Sequence, residues 1–191
     1  GCKANSLELK LGGDGELLAT VNILGATNVN GAVPYDDPTV SDALAQTIFT
    51  ERFQQFEASV KEGGAASNVM TAFSLALNNN LDNSSFVIGG GGVRSELPEG
   101  IAGVSGTVTA LFRDTTILEK AKSNTKSSLQ VTWARGDSVL DLLFPEIKFK
   151  ESDPGVSGPA GVTIELPFEG FKATGESAVV ATLTCARAAF A

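Results

Sequence analysis

The chain is 191 residues long, 42% hydrophobic, with a formal charge of −8 and no histidine. That length and apolar content suit a folded core, while the acidic balance excludes a sequence-independent nucleic-acid binder, which needs Lys and Arg to displace phosphate counterions. The missing histidine removes the commonest general base and transition-metal ligand, and no apolar run approaches the ~18 residues of a membrane-spanning helix.

The start, Gly1-Cys2-Lys3, has no apolar stretch behind it, so no signal peptide is expected there. Residues 6–11 alternate strictly. Leu7, Leu9 and Leu11 share one face, and Ser6, Glu8 and Lys10 share the other. Gly12, Gly13, Asp14 and Gly15 supply a turn, and residues 17–23 return as a strand, so a hairpin is predicted. Residues 25–39 are loop-like, with Asp36 and Asp37 among Gly, Asn and Pro. Ser41 is placed to cap a short helix carrying Leu44, Ala45 and Ile48; an ordered loop is the equal alternative.

Phe56, Ala58 and Val60 alternate with Glu57, Ser59 and Lys61, which predicts a strand turned by Glu62-Gly63-Gly64. A longer strand follows over 67–77, with Val69, Thr71, Phe73, Leu75 and Leu77 in phase. Asn78, Asn79 and Asn80 end it, because Asn bonds its own backbone and tolerates the left-handed region. Phe86, Val87 and Ile88 are long enough only for an edge strand, and Gly89 to Gly92 make a hinge. Over 103–112, Val104, Gly106, Val108, Ala110 and Phe112 oppose Ser105, Thr107 and Thr109. Such small residues imply close approach by another backbone.

A helix is predicted over 115–121, capped by Asp114 and packed through Ile117, Leu118 and Ala121. Leu129, Val131 and Trp133 form the buried face of the next strand. Arg135-Gly136-Asp137 then turns the chain into a strand over 139–144, with Pro145 starting its exit and Ile147 to Lys150 a candidate extension. Residues 152–161 are a Pro/Gly loop, and 162–168 alternate, with Pro167 confining that end to an edge or bulge. Gly175 turns this strand into the last, over 178–186. Cys185 is in phase there with Val179, Ala181 and Leu183, so a buried thiol is expected, a Cys2–Cys185 bridge being the alternative. About ten strands and one helix make an all-β fold, a sandwich or partial barrel with one short flanking helix. One domain over 1–191 is expected, its N-terminal hairpin, loop and candidate helix covering 1–52 and its core sandwich 53–191.

No motif assigns a catalytic, cofactor-binding or metal-ligating residue. The glycine run is followed by Val93-Arg94-Ser95, without the Lys and Ser/Thr of a phosphate loop. Asp36, Asp37 and Asp42, like Asp137 and Asp141, lack calcium-loop spacing and are expected to be solvated. Arg135-Gly136-Asp137 is ordinary hairpin chemistry, and the serines have no histidine partner. The only tryptophan, Trp133, is in phase with the core, which counts against the aromatic platform of a binding module.

The ordered landmarks from Phe53 onward resemble the major tail tube proteins of long-tailed bacteriophages. The matching pieces are Phe56 to Val60 ahead of a Gly turn, Thr71 to Leu81 with its asparagine cluster, and Ile88-Gly89. Glu99 to Phe112, Ser128 to Val131, Leu142 to Ile147, Pro154 to Gly158, and Gly161-Val162 ahead of Leu166-Pro167-Phe168 complete the series. The first 50 residues match only as an opening hairpin.

The resemblance implies a non-enzymatic β-sandwich subunit without cofactors. Six copies would form a ring whose strands join into one inner barrel. The rings would stack into a tube passing DNA and tape-measure protein, with tail terminator and baseplate proteins as further partners. It implies a virion component assembled in the host cytoplasm, with no membrane. A gene-transfer or secretion-type tube, a capsid decoration protein and a β-sandwich binding module are the alternatives. Expected inter-subunit contacts are Asp36 and Asp37 in one loop, Gly90, Gly91 and Arg94 in the glycine segment, and Asp153, Pro154 and Gly155 in another loop. Glu8, Lys10, Glu57 and Lys61 are the expected polar positions of the wall strands. An acidic lumen would let DNA slide without sticking.

Overall fold

A computed structural model describes residues 2–12, 15–26, 52–89, 91–113, 115–152 and 162–185. The candidate helix over 41–49, Asp36, Asp37, Gly90, Asp114 and the loop residues 153–161 lie outside them. The described chain forms ten strands: β1 (Cys2–Gly12), β2 (Leu18–Gly25), β3 (Ala58–Glu62), β4 (Ala65–Ala66), β5 (Met70–Asn78), β6 (Gly103–Leu111), β7 (Lys126–Arg135), β8 (Ser138–Phe149), β9 (Thr163–Phe171) and β10 (Val180–Thr184). One α-helix, α1 (Thr116–Lys122), and a 3-10 turn, Gln55–Glu57, complete it.

All the strands belong to one sheet, in the order β2-β1-β5-β6-β9-β8-β7-β3-β4, with β10 on β8. The sheet folds over on itself. Phe73 of β5 lies 6.2 Å from both Trp133 of β7 and Phe144 of β8, and Phe168 of β9 lies 5.6 Å from Phe144. One layer is therefore β2-β1-β5-β6-β9, and the other is β8, β7, β3, β4 and β10. In β1, β5, β6, β7, β8 and β9 alternation turns one residue in two into the space between. Leu9, Leu11, Phe73, Leu75, Val108, Leu129, Val131, Trp133, Leu166 and Phe168 are all buried there.

The bend is made by β8. Its residues Val139 to Leu143 pair with β10, and Glu146 to Phe149 pair with β9. Between these two sets its register against β7 shifts, opposite Ser127 to Leu129. Pro145, which cannot donate a ladder bond, sits at that irregularity. Pro145 does not start an exit: the chain bulges there, and the extension expected over 147–150 is strand as far as Phe149. The second proline behaves as expected. Pairing of β8 with β9 begins only at Phe168, so Pro167 marks the edge, with its carbonyl accepting from Lys150 N–H at 2.7 Å.

Close packing explains the small residues of β6. A β-carbon on Gly106 would stand 2.3 Å from the Ser74 carbonyl oxygen and 2.4 Å from Phe168 Cζ. Asn80 ends β5 in the left-handed region at φ 47°, as the asparagine cluster predicts. Helix α1 packs through Ile117, Leu118 and Ala121. Its Lys120 Nζ donates to both Glu62 oxygens at 2.8 Å, and Ser127 donates to the same carboxylate, so helix, β3 and β7 share one largely buried anion.

Two further expectations are corrected. Phe56 is not a strand residue facing the core; it sits in the 3-10 turn with its ring 80% exposed. The turn forms because Glu57 accepts from Gln54 N–H at 2.9 Å, and segment 53–55 docks on 15–17 through Leu17 N–H to Phe53 O. Cys185 is exposed, as is Cys2, and no disulfide joins them. The periodicity of β10 is real, but no described layer covers that strand, so every one of its residues is exposed.

Candidate assembly interface

The layer β2-β1-β5-β6-β9 turns a polar face outward. Register places Thr20, Glu8, Ala76, Ser105 and Glu169 in one row across the five strands. Leu18, Lys10, Ser74, Thr107 and Pro167 form the next row. The middle strands present short side chains there, Ala76, Ser74, Ser105 and Thr107, and the charged ones stand on β1 and β9. Lys10 pairs with Glu8 at 2.9 Å and Lys150 with Glu169 at 2.6 Å, while Glu165 adds a third carboxylate. Of the expected wall positions, Glu8 and Lys10 lie on this face.

Lys61 lies on the other layer, in register with Gln130, and Glu57 lies in the 3-10 turn. The Arg135 guanidinium is 3.7 Å from Glu57 and donates to Arg52 O at 2.6 Å, so the Arg-Gly-Asp arginine serves the fold. The Asp141 carboxylate accepts from Gln130 and Thr132. Trp133 is fully buried, which leaves it no role in a surface platform.

Two sheet edges of this layer are open among the described residues. Strand β2 pairs only with β1. It exposes Leu18 (63%), Val21 (51%) and Ile23 (63%). At the far side, Thr163 to Leu166 of β9 pair with β6 but not with β8. Unpaired edges of this kind invite another strand. Alternation in 17–23 predicted the strand but not its open edge, because a sequence does not show which strand ends the sheet. Nor does it show the Lys150–Glu169 pair, which the β8–β9 register creates.

The segment 79–102 joins β5 to β6 and is fastened to one end of the layer. Asn79 N–H donates to Asn5 O at 2.7 Å, and Leu81 N–H to the Asn5 side chain at 2.9 Å. Lys3 Nζ donates to Leu97 O at 3.0 Å and to Glu99 at 2.9 Å, and Leu97 is buried. That Lys3 hydrogen bond, reinforced by its charge, holds the Glu99 carboxyl below its usual range; Ser84 does the same for Asp82. Arg94 donates to Gly25 O and Asn83 O, both at 2.8 Å, and its guanidinium stacks 4.8 Å from the Phe86 ring centroid.

Phe86 and Arg94 form an isolated bridge, in place of the expected edge strand. Beyond this clasp Val87, Ile88, Gly91 and Val93 are exposed, with Gly89, Gly91 and Gly92 at positive φ. Of the expected contacts, Gly91 and Arg94 are thus near one another, while Gly90, Asp36, Asp37, Asp153, Pro154 and Gly155 lie outside the described residues.

A family model described as phage tail tube protein matches residues 1–170 of the chain. No curated protein matches it.

Proposed function

The chain belongs to the phage tail tube protein family and is a structural component of the virion tail, and from that premise we propose that six copies close into a ring and that rings stack into a hollow conduit for DNA. The observation that carries this reading is the β2-β1-β5-β6-β9 layer: polar on its outer face and, among the described residues, open at both sides. Rotating copies so that β2 of one meets Thr163 to Leu166 of the next continues the layer around a ring. The open edges, a hazard in a monomer, then become interfaces.

In that ring the polar face lines the lumen, with Glu8, Lys10, Glu165 and Glu169 on it. Lys10 and Lys150 each have a carboxylate partner there and Lys148 lies over the Phe171 ring, so the carboxylates of the wall offset most of the positive charge it offers DNA. Glu57 and Lys61, away from this face, belong to the outer side. Tape-measure protein occupies the bore before DNA, and terminator and baseplate proteins end the stack. Asp36 and Asp37, Gly90, Gly91 and Arg94, and Asp153, Pro154 and Gly155 remain the proposed inter-subunit contacts. Assembly takes place in the host cytoplasm.

Negative-stain microscopy of the purified protein at high concentration tests the reading. Rings and tubes with an open bore are expected, and the double replacement Val21→Lys with Ile23→Lys should leave folded monomers. A wild-type protein that stays strictly monomeric, with no tube in the native particle, overturns it.

A further inference from the structure

The two ends of the described molecule are complementary. Strands β5 and β6 are joined at one end by the 79–102 segment, whose tip exposes Phe86, Val87, Ile88 and Val93. At the opposite end of the same strands is a cavity of about 380 Å³. It is lined by the β4 hairpin (Ala65, Ala66), by Val69, and by Ile117 and Leu118 of α1, with polar Glu62, Asn68 and Arg113 also on its wall. It opens there because β4 is only two residues long and β8 has left the Thr163 to Leu166 stretch of β9. An apolar knob at one end and a hole with an aliphatic wall and polar residues beside it at the other cannot meet within one molecule.

We propose that the tip carrying Val87, Ile88 and Val93 of one copy seats in the cavity beside Ala66 and Ile117 of a second copy in the next ring, an inference that rests on the tube reading. Three observations select a second copy as the occupant. The knob and the hole lie at opposite strand ends, so the contact is head-to-tail and repeats without closing, as a stack requires. The knob is pre-arranged: the Arg94 clasp on Gly25, Asn83 and Phe86 fixes its base, which lowers the ordering cost of docking. The surfaces match chemically, with Ile88 fully exposed on one and aliphatic side chains lining the other. Arg94 is then a positioning residue for the contact.

The test uses full-length chain with Cys2→Ser and Cys185→Ser, carrying Ile88→Cys and Ala66→Cys, assembled and treated with a short bis-maleimide. Both new positions are exposed, so the fold tolerates them. Tubes with a denaturation-resistant ladder running well beyond six subunits are expected, and each single-cysteine variant should give no ladder. Tubes with no ladder overturn the docking while leaving the tube reading intact. A ladder that stops at the subunit number of one ring places the contact within the ring, and also overturns it. If the unmodified protein forms neither rings nor tubes, the tube reading fails and takes this contact with it.

Discussion

Phe168 closes over Gly106 so tightly that a β-carbon at position 106 would stand 2.4 Å from its Cζ. The Ser74 carbonyl, 2.3 Å from the same point, blocks the other way out. Gly106→Ala must therefore separate β5 from β6 or displace a core ring. A loss of about 1–3 kcal/mol is expected, the usual cost of overpacking. Urea unfolding followed by Trp133 fluorescence measures it, since Trp133 is the only tryptophan and is buried in the same core. Unchanged stability would mean that the layers yield here more readily than their packing implies.

The Glu62 carboxylate ties α1 to β3 and β7 through Lys120 and Ser127. Glu62→Gln keeps the volume but removes the charge, leaving Lys120 without its anion. About 1–3 kcal/mol of destabilisation is expected, in the range of hydrogen bonds to charged groups. Lys120→Met should cost more, because it leaves a carboxylate only 10% exposed with Ser127 as its one remaining donor, whereas the Lys120 ammonium, 30% exposed, can turn toward solvent. Equal costs for the two variants would refute the asymmetry.

Arg94→Ala removes two hydrogen bonds and a ring contact from the base of the 79–102 segment. Amide exchange should quicken at Phe86 and Arg94, while β7 and β8 keep their protection, because the core does not touch the clasp. Sandwich stability should change by no more than about 1 kcal/mol, typical for an exposed cation–π pair and its bonds. Equal loss of protection in β7 would show that the segment belongs to the cooperative core.

The Lys3–Glu99 pair gives the same segment a dependence on acidity. Lys3 holds the folded Glu99 carboxyl below its ordinary value of 4.5. Its contribution is therefore complete above that value and fades as pH falls through the lower folded value. Acidification into that range should speed exchange at Leu97 and Glu99 in the wild type. Glu99→Gln should abolish the step; its persistence in that variant would assign it to another group.

Much of the fold was legible because the strands are dressed for two different faces. Leu129, Val131 and Trp133 against Ser128, Gln130 and Thr132 leave one way to place β7. The small residues of β6 correctly announced a close neighbour. One source of failure is that periodicity shows that a strand has two faces, not whether anything covers them. Cys185 and Leu183 are in phase with a core-facing pattern, yet β10 is exposed throughout. Phe56 fitted an alternation that the Gln54–Glu57 capping interaction interrupts. Pro145 looked like the start of an exit, with 147–150 only a candidate extension, because a bulge that absorbs a proline depends on the partner strand. Of the wall positions, Glu8 and Lys10 could be read from β1 alone. Lys150, by contrast, reaches that face only through the β8–β9 register.

Strand β8 contributes to both layers, with β7 beside it along nearly its whole length, β10 beside its first half and β9 beside its last four residues. The two layers are thus hinged by a continuous backbone rather than merely pressed together. A load that tries to slide one over the other pulls along a covalent strand and its flanking hydrogen bonds at once. Such a brick is stiff, so a filament built from it will bend by opening the joints between bricks and will recover its shape when the load is removed.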